Sequence, residues 1–295
     1  MTFLTNILIF LLSTVGVVAP TVAQVTADTA CWTRVAGPGQ LVAADVPYQR
    51  GLKAQKLDIY LPGPAAQKQP YKTIVFIHGG CFTFGSKENP QESLPLIQRL
   101  TGSGYAVVSV EYRRADPGNG SSRKRNPYPA ALEDVQDAVN WVRSPSGGGR
   151  FSLDPNRVAA FGYSAGGTLA AYLATRDIAG TKNVALSKSE IPVNTRRIPA
   201  VDLFGRMDFT LGAQSKKRDG SEGDCAEQFL GKNRAPENMG EFKAASVVPD
   251  ERAANILSIH GTKDVAVLPV CEIRTKAPDQ IGSIPPGHFG SMAPG

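Results

Sequence analysis

The stretch Arg157 to Arg176, RVAAFGYSAGGTLAAYLATR, constrains the fold more than any other part of the chain. A short apolar run (Arg157 to Tyr163) meets a small-residue helical pattern (Ser164 to Arg176) with no loop between them, so Gly162-Tyr163-Ser164-Ala165-Gly166 must itself be the turn. A strand that passes so abruptly into a helix forces the central residue, Ser164, into a strained backbone conformation. Side chains two positions to either side would collide, which accounts for Gly162 and Gly166. The hydroxyl then projects from a strand end at the positive end of a helix dipole. G-x-S-x-G alone is a weak signal; the strand before it and the helix after it give it weight over a plain turn with an N-cap serine.

The rest of the chain repeats this alternation. Lys56 to Leu61 (KLDIYL) alternates with the strand period, and Thr73 to His78 (TIVFIH) and Tyr105 to Tyr112 (YAVVSVEY) read as buried strands. Tyr128 to Val142 (YPAALEDVQDAVNWV) carries apolar residues at helical spacing, with Pro129 in the first turn. Pro199 to Phe204 and Ala254 to His260 (ANILSIH) are two further strands. Strands separated by helices imply right-handed crossovers and an α/β fold: a mostly parallel central sheet with helices on both faces. With 30 Gly and 22 Pro among 295 residues and no repeat, a helical bundle is disfavoured. Residues 24–295 are expected to form one domain, with polar, Gly-rich insertions near 177–198 and 205–250 over the carboxyl ends of the strands, where such sheets bind ligands.

Residues 1–23 hold no Asp, Glu, Lys or Arg, and Phe3 to Ala19 is mostly apolar up to the helix-breaking Pro20. Small residues at Thr21-Val22-Ala23 suit cleavage, so the segment reads as a secretory signal peptide, with an uncleaved anchor as the alternative. Export places the chain in a secreted, extracellular or periplasmic setting with no stable membrane association, and makes disulfides expected among Cys31, Cys81, Cys225 and Cys271. Three full pairings exist and the sequence does not choose. Cys225 with Cys271 is the preferred bridge, and Cys81 is read as a free, buried small residue. The spacing does not suit zinc, so no metal is expected. Asn119-Gly120-Ser121 is a sequon for eukaryotic secretion only. The net charge of +6 is spread over short clusters with acids nearby (Arg123-Lys124-Arg125, Arg196-Arg197, Lys216-Lys217-Arg218), which reads as solvated loops and not as a nucleic-acid surface.

The chemistry-bearing residues converge on acyl transfer. Developing negative charge on a carbonyl oxygen needs backbone N–H donors on chain that comes close, and Gly79 and Gly80 after the strand TIVFIH, with Ala165 after the nucleophile, are the candidate donors. A serine hydroxyl needs a neutral imidazole to take its proton. Of the three histidines, His78 precedes the donors and reads as a loop brace, and His260 ends a strand. His288, after Pro285-Pro286-Gly287, is the candidate base. Asp264, in HGTKD after the strand ANILSIH, is the candidate acid that holds the imidazole tautomer. Asp208 is the alternative acid.

In these segments the chain resembles the α/β-hydrolase superfamily, and within it the hormone-sensitive-lipase-like and acetyl-esterase-like secreted esterases. LDIYLP, FIHGGC, YAVVSVEYR, YPAALEDVQDAVNWV, DPNRVAAFGYSAGG and ILSIHGTKD carry the likeness, over most of residues 55–175 and 225–290. The resemblance implies a cofactor-free carboxylic ester hydrolase working through an acyl-enzyme on a small-molecule or polysaccharide ester, with short acyl groups such as acetyl or feruloyl. A lipase, an amidase or formamidase using the same residues, and a binding protein that has kept the fold are the alternatives. The chain departs from the pattern at Cys81, where a third glycine is usual, and in the 24 positions from Asp264 to His288.

Overall fold

The computed structural model describes residues 32–34, 41–49, 55–62, 70–88, 90–116, 126–177, 197–211, 215–216, 222–233 and 235–260. The signal-peptide segment, Cys31, Cys271, the sequon, Asp264, His288 and most of the 177–198 insertion lie outside them.

Eight strands form one sheet: β1 (Trp32–Arg34), β2 (Leu41–Pro47), β3 (Lys56–Leu61), β4 (Tyr71–Ile77), β5 (Ala106–Val110), β6 (Leu153–Tyr163), β7 (Ala200–Leu203) and, last in the sheet, a strand at Ile256–Ile259. Two short strands, β8 (Ser215–Lys216) and β9 (Glu222–Gly223), pair with each other apart from it, so the Ile256–Ile259 strand is β10. The spatial order is β1-β2-β3-β5-β4-β6-β7-β10. β5, β4, β6, β7 and β10 run parallel, and β1 to β3 form an antiparallel edge.

Each expected strand is present, with β6 starting earlier than its apolar run because Leu153 pairs with Tyr71 of β4. The parallel strands are apolar throughout because both faces are covered. Ile97 and Leu100 of α1 (Pro90–Gly102) close one face over Ile74, Phe76, Val107, Phe161 and Val201. α2 (Ala130–Arg143) and α3 (Ala165–Thr175) close the other over Val75, Ile77, Val108 and Ala160.

The polar side of α2 is not a solvated face. Asp134 and Asp137 are fully buried. Gln49 Nε2 donates to both, at 3.0 and 2.7 Å, and Arg113 Nε donates to Asp134 at 2.9 Å. Such pairing is what lets carboxylates stay in a core.

The 205–250 segment, read as a polar insertion, also contributes to the core. It forms α4 (Cys225–Leu230) and α5 (Met239–Ala245), and Phe209, Phe229, Phe242 and Val247 belong to the main core cluster. Among the described residues, no helix is long and apolar enough to cross a membrane.

Candidate active site

β6 ends at Tyr163 and α3 begins at Ala165, leaving Ser164 alone in the turn at φ 52° and ψ −125°. An L-residue held there costs about 1–3 kcal/mol, which the surrounding contacts must offset. The Ser164 N–H donates to the Leu203 carbonyl of β7 at 2.8 Å, and its carbonyl accepts from Thr168 N–H at 3.1 Å. The residue is half-buried.

The two motif glycines answer to close approach. A β-carbon on Gly162 would lie 2.1 Å from the Gly166 carbonyl oxygen. One on Gly166 would lie 2.1 Å from the Ile77 carbonyl oxygen and 2.5 Å from that of His78. The first turn of α3 therefore sits directly on the loop leaving β4.

That loop, His78 to Gly85, holds Gly79 and Gly80. A β-carbon on Gly79 would meet the Tyr163 ring at 2.7 Å, so Gly79 lies against the residue preceding Ser164. Gly80 (φ 114°), Cys81 (52°) and Phe82 (62°) all have positive φ. The carbonyls of the loop are fixed from within. Tyr112 Oη donates to the His78 carbonyl at 3.1 Å, and His78 Nδ1 lies 2.7 Å from the Gly79 carbonyl, so it carries the proton and donates. In a trans peptide the N–H points opposite to the C=O. The same contacts therefore turn the Gly79 and Gly80 N–H groups away from the Tyr112 hydroxyl and the His78 ring.

The His78 ring stacks on Tyr112 at 4.3 Å. Burial lowers its pKa to about 4, with the Arg114 charge adding to the effect against the Gly79 hydrogen bond. It is neutral at physiological pH and braces the loop, in agreement with its placement ahead of the donors.

Cys81 is not free. It is bonded to Cys225, so the preferred Cys225–Cys271 bridge is wrong. Cys225 sits at the start of a helix that the fold brings to the β4 loop, and its nearness in sequence to Cys271 counts for nothing.

Asp208 is occupied in its own turn, accepting from Thr210 N–H at 2.7 Å and Thr210 Oγ1 at 2.6 Å. The structure thus packs the Ser164 turn, through Tyr163 and Gly166, against the loop that carries Gly79 and Gly80, while Asp264 and His288 lie outside the described residues. Among the described residues, no three His, Cys, Asp or Glu side chains are grouped to hold a metal ion.

One acid beside the turn was missed in the sequence. Asp202 of β7 is fully buried, and accepts from Gly205 N–H at 2.8 Å and Ser258 Oγ at 2.7 Å. A β-carbon on Gly167 would lie 2.1 Å from its Oδ1, so it packs against the first turn of α3. A lone acid inside the apolar run AVDLF was the available signal. Burial raises its pKa to about 6, against the opposing hydrogen bonds and the His260 charge.

Asp202 and His78 give opposite pH dependences of stability. Between pH 4 and 6 the folded state binds more protons at Asp202 than the unfolded state, so this group favours folding below pH 4 and the benefit fades as pH rises through 6. His78 is the reverse: its contribution is complete above pH 6.5 and is lost as pH falls toward 4. Asp202→Asn can keep both hydrogen bonds while removing the buried charge. It is expected to add on the order of 2 kcal/mol at pH 7.5, several degrees of Tm, and to lose that advantage by pH 4.5. Melting curves of both proteins across that range check it; parallel profiles contradict it.

The chain matches the family described as BD-FAE over residues 57–274. It is 29% identical over 238 residues to the esterase LipQ of Mycobacterium tuberculosis, covering 79% of this chain and 52% of LipQ. It is 32% identical over 155 residues to arylacetamide deacetylase of Bos taurus, covering 52% of this chain and 34% of that one. The chain thus spans about half or less of the length of these relatives. Among solved structures, a truncated carbohydrate esterase from gut microbiota superposes with a TM-score of 0.58 at 24% identity, covering 82% of this chain and 81% of that one. The family match spans most of the chain, from β3 past β10, and includes the Ser164 turn and the glycine loop: the chain belongs to the BD-FAE family of α/β-hydrolases.

Proposed function

We propose that this protein is a secreted serine esterase that removes short acyl groups from small-molecule or polysaccharide esters. The observation that carries the reading is the strained, half-buried Ser164, in a turn packed against a glycine loop whose carbonyls are held by Tyr112 and His78. Ser164 Oγ attacks the ester carbonyl carbon while His288 takes its proton. Asp264 holds the imidazole tautomer and stabilises the imidazolium. The Gly79, Gly80 and Ala165 N–H groups receive the oxyanion, an arrangement in which losing one donor costs about 10²–10³ in rate. The tetrahedral intermediate collapses, the C–O bond breaks, and the alcohol leaves with the proton from His288. Water, deprotonated by the same imidazole, then releases the acid and restores Ser164.

The relatives support an acyl-transfer hydrolase: LipQ is an esterase and the bovine protein a deacetylase. Acetyl and feruloyl groups on plant polysaccharide are the substrates we favour. Export is supported by the apolar N-terminal segment and by a disulfide that an oxidising compartment would maintain.

A series of p-nitrophenyl esters from acetate to laurate, run beside acetylated xylan, tests the reading. Highest kcat/KM on acetate, with acetate release from the polysaccharide, is expected. A preference for long chains with activation at an oil–water interface would overturn it in favour of a lipase.

A further inference from the structure

The loop that carries the candidate oxyanion donors is cross-linked to the far half of the chain. Cys81 follows Gly80 directly and is bonded to Cys225, the first residue of α4, 144 positions away in sequence. Three consecutive residues from Gly80 to Phe82 hold positive φ, a run that the backbone does not keep unaided. A short set of contacts holds it. The Gly80 carbonyl accepts from Thr83 and Phe84 N–H at 2.9 Å each, and the Phe82 carbonyl accepts from Ala115 N–H at 2.8 Å. The buried Phe82 ring stacks on Phe229 of α4 at 4.0 Å and meets Phe209 edge-on at 6.1 Å. The disulfide is the covalent member of this set, and it lies one residue from a donor. Both cysteines are half-buried.

We propose that Cys81–Cys225 is a redox-sensitive positioning link for the oxyanion hole. A dithiol reductant donates two electrons and two protons: the S–S bond becomes two thiols and the dithiol becomes a disulfide. The Phe82–Phe229 stack keeps α4 docked, but the Gly80–Phe82 turn is no longer clamped and the donors lose their fixed aim. Donor geometry matters most in the transition state, where charge has developed, so the loss falls on kcat and not on KM. On this proposal both cysteines act through the loop.

This inference rests on the esterase reading, and the test separates the two. Oxidised protein, its disulfide verified by mass spectrometry, is assayed on p-nitrophenyl acetate before and after incubation with dithiothreitol, well below its melting temperature. We expect kcat to fall at least tenfold on reduction with KM within twofold, and to recover on reoxidation with oxidised glutathione. Cys225→Ser should show the reduced-state rate with or without reductant. The Cys31→Ser/Cys271→Ser double variant should respond as wild type does. Where Cys225→Ser does not fold, reduced wild type alkylated with iodoacetamide takes its place. Unchanged kcat after verified reduction overturns the link while leaving the esterase reading intact. Loss of far-UV circular dichroism on reduction also overturns it, because the bridge then only staples the fold. Oxidised, folded protein that neither hydrolyses the ester nor reacts with a phosphonate ends the esterase reading itself.

Discussion

Ser164→Ala removes turnover of p-nitrophenyl acetate by about 10⁴-fold or more and leaves the melting temperature within a degree or two of wild type. The first part follows from losing the only nucleophile the turn presents; what survives is the acceleration that donors and binding supply without it. The second follows because alanine inherits the same φ of 52° and the same Cβ strain. Ser164→Gly separates the two effects. It is equally inactive, yet glycine occupies that region freely, so stability should rise by about 1 kcal/mol or more. Initial rates and thermal melts of the three proteins decide the point. An inactive Ser164→Gly no more stable than Ser164→Ala would mean that the turn is not strained as described.

Gly166→Ala is expected to damage both stability and turnover. Its β-carbon would fall 2.1 Å from the Ile77 carbonyl oxygen and 2.5 Å from that of His78, both backbone atoms without a side-chain rotamer to turn away. Relief requires α3 to move off the β4 loop, which separates Ser164 and Ala165 from Gly79 and Gly80. Overpacking of this kind costs about 1–3 kcal/mol, occasionally more, and the displacement adds a fall in kcat of at least 10²-fold through the mis-aimed donors. Gly240→Ala is the control, since a β-carbon there meets nothing within 4 Å. Equal stability and activity of the two variants would contradict the close approach of α3 to the loop.

The sheet was readable because its parallel strands are buried on both faces and so announce themselves as unbroken apolar runs. The nucleophile turn was readable because glycine spacing there follows from sterics. Other features left weaker marks. α1 escaped notice with Pro95 inside it and few apolar residues facing the sheet. In 205–250, Phe209, Phe229 and Phe242 stand singly among polar residues, and their shared packing is a property of the fold, not of any local period. The cysteine pairing failed for the same reason, since sequence distance does not report which loop a helix docks against. α2 carries a feature with no local signal: Gln49, Gln55 and Arg113, distant from it in sequence, converge on its buried Asp134. Asp202 was legible in principle, as a charge in an apolar strand, but its role as a tie between β7, β10 and α3 needed the topology.

Site-resolved mass spectrometry after brief exposure to a fluorophosphonate tests the central claim most directly, because that reaction needs an activated serine beside oxyanion donors and nothing else. The account predicts one adduct, on Ser164, formed in step with the loss of acetate-ester hydrolysis and absent from Ser164→Ala. Folded protein with its Cys81–Cys225 bond intact that takes up no label, or takes it on another residue while hydrolysis stops, would contradict it.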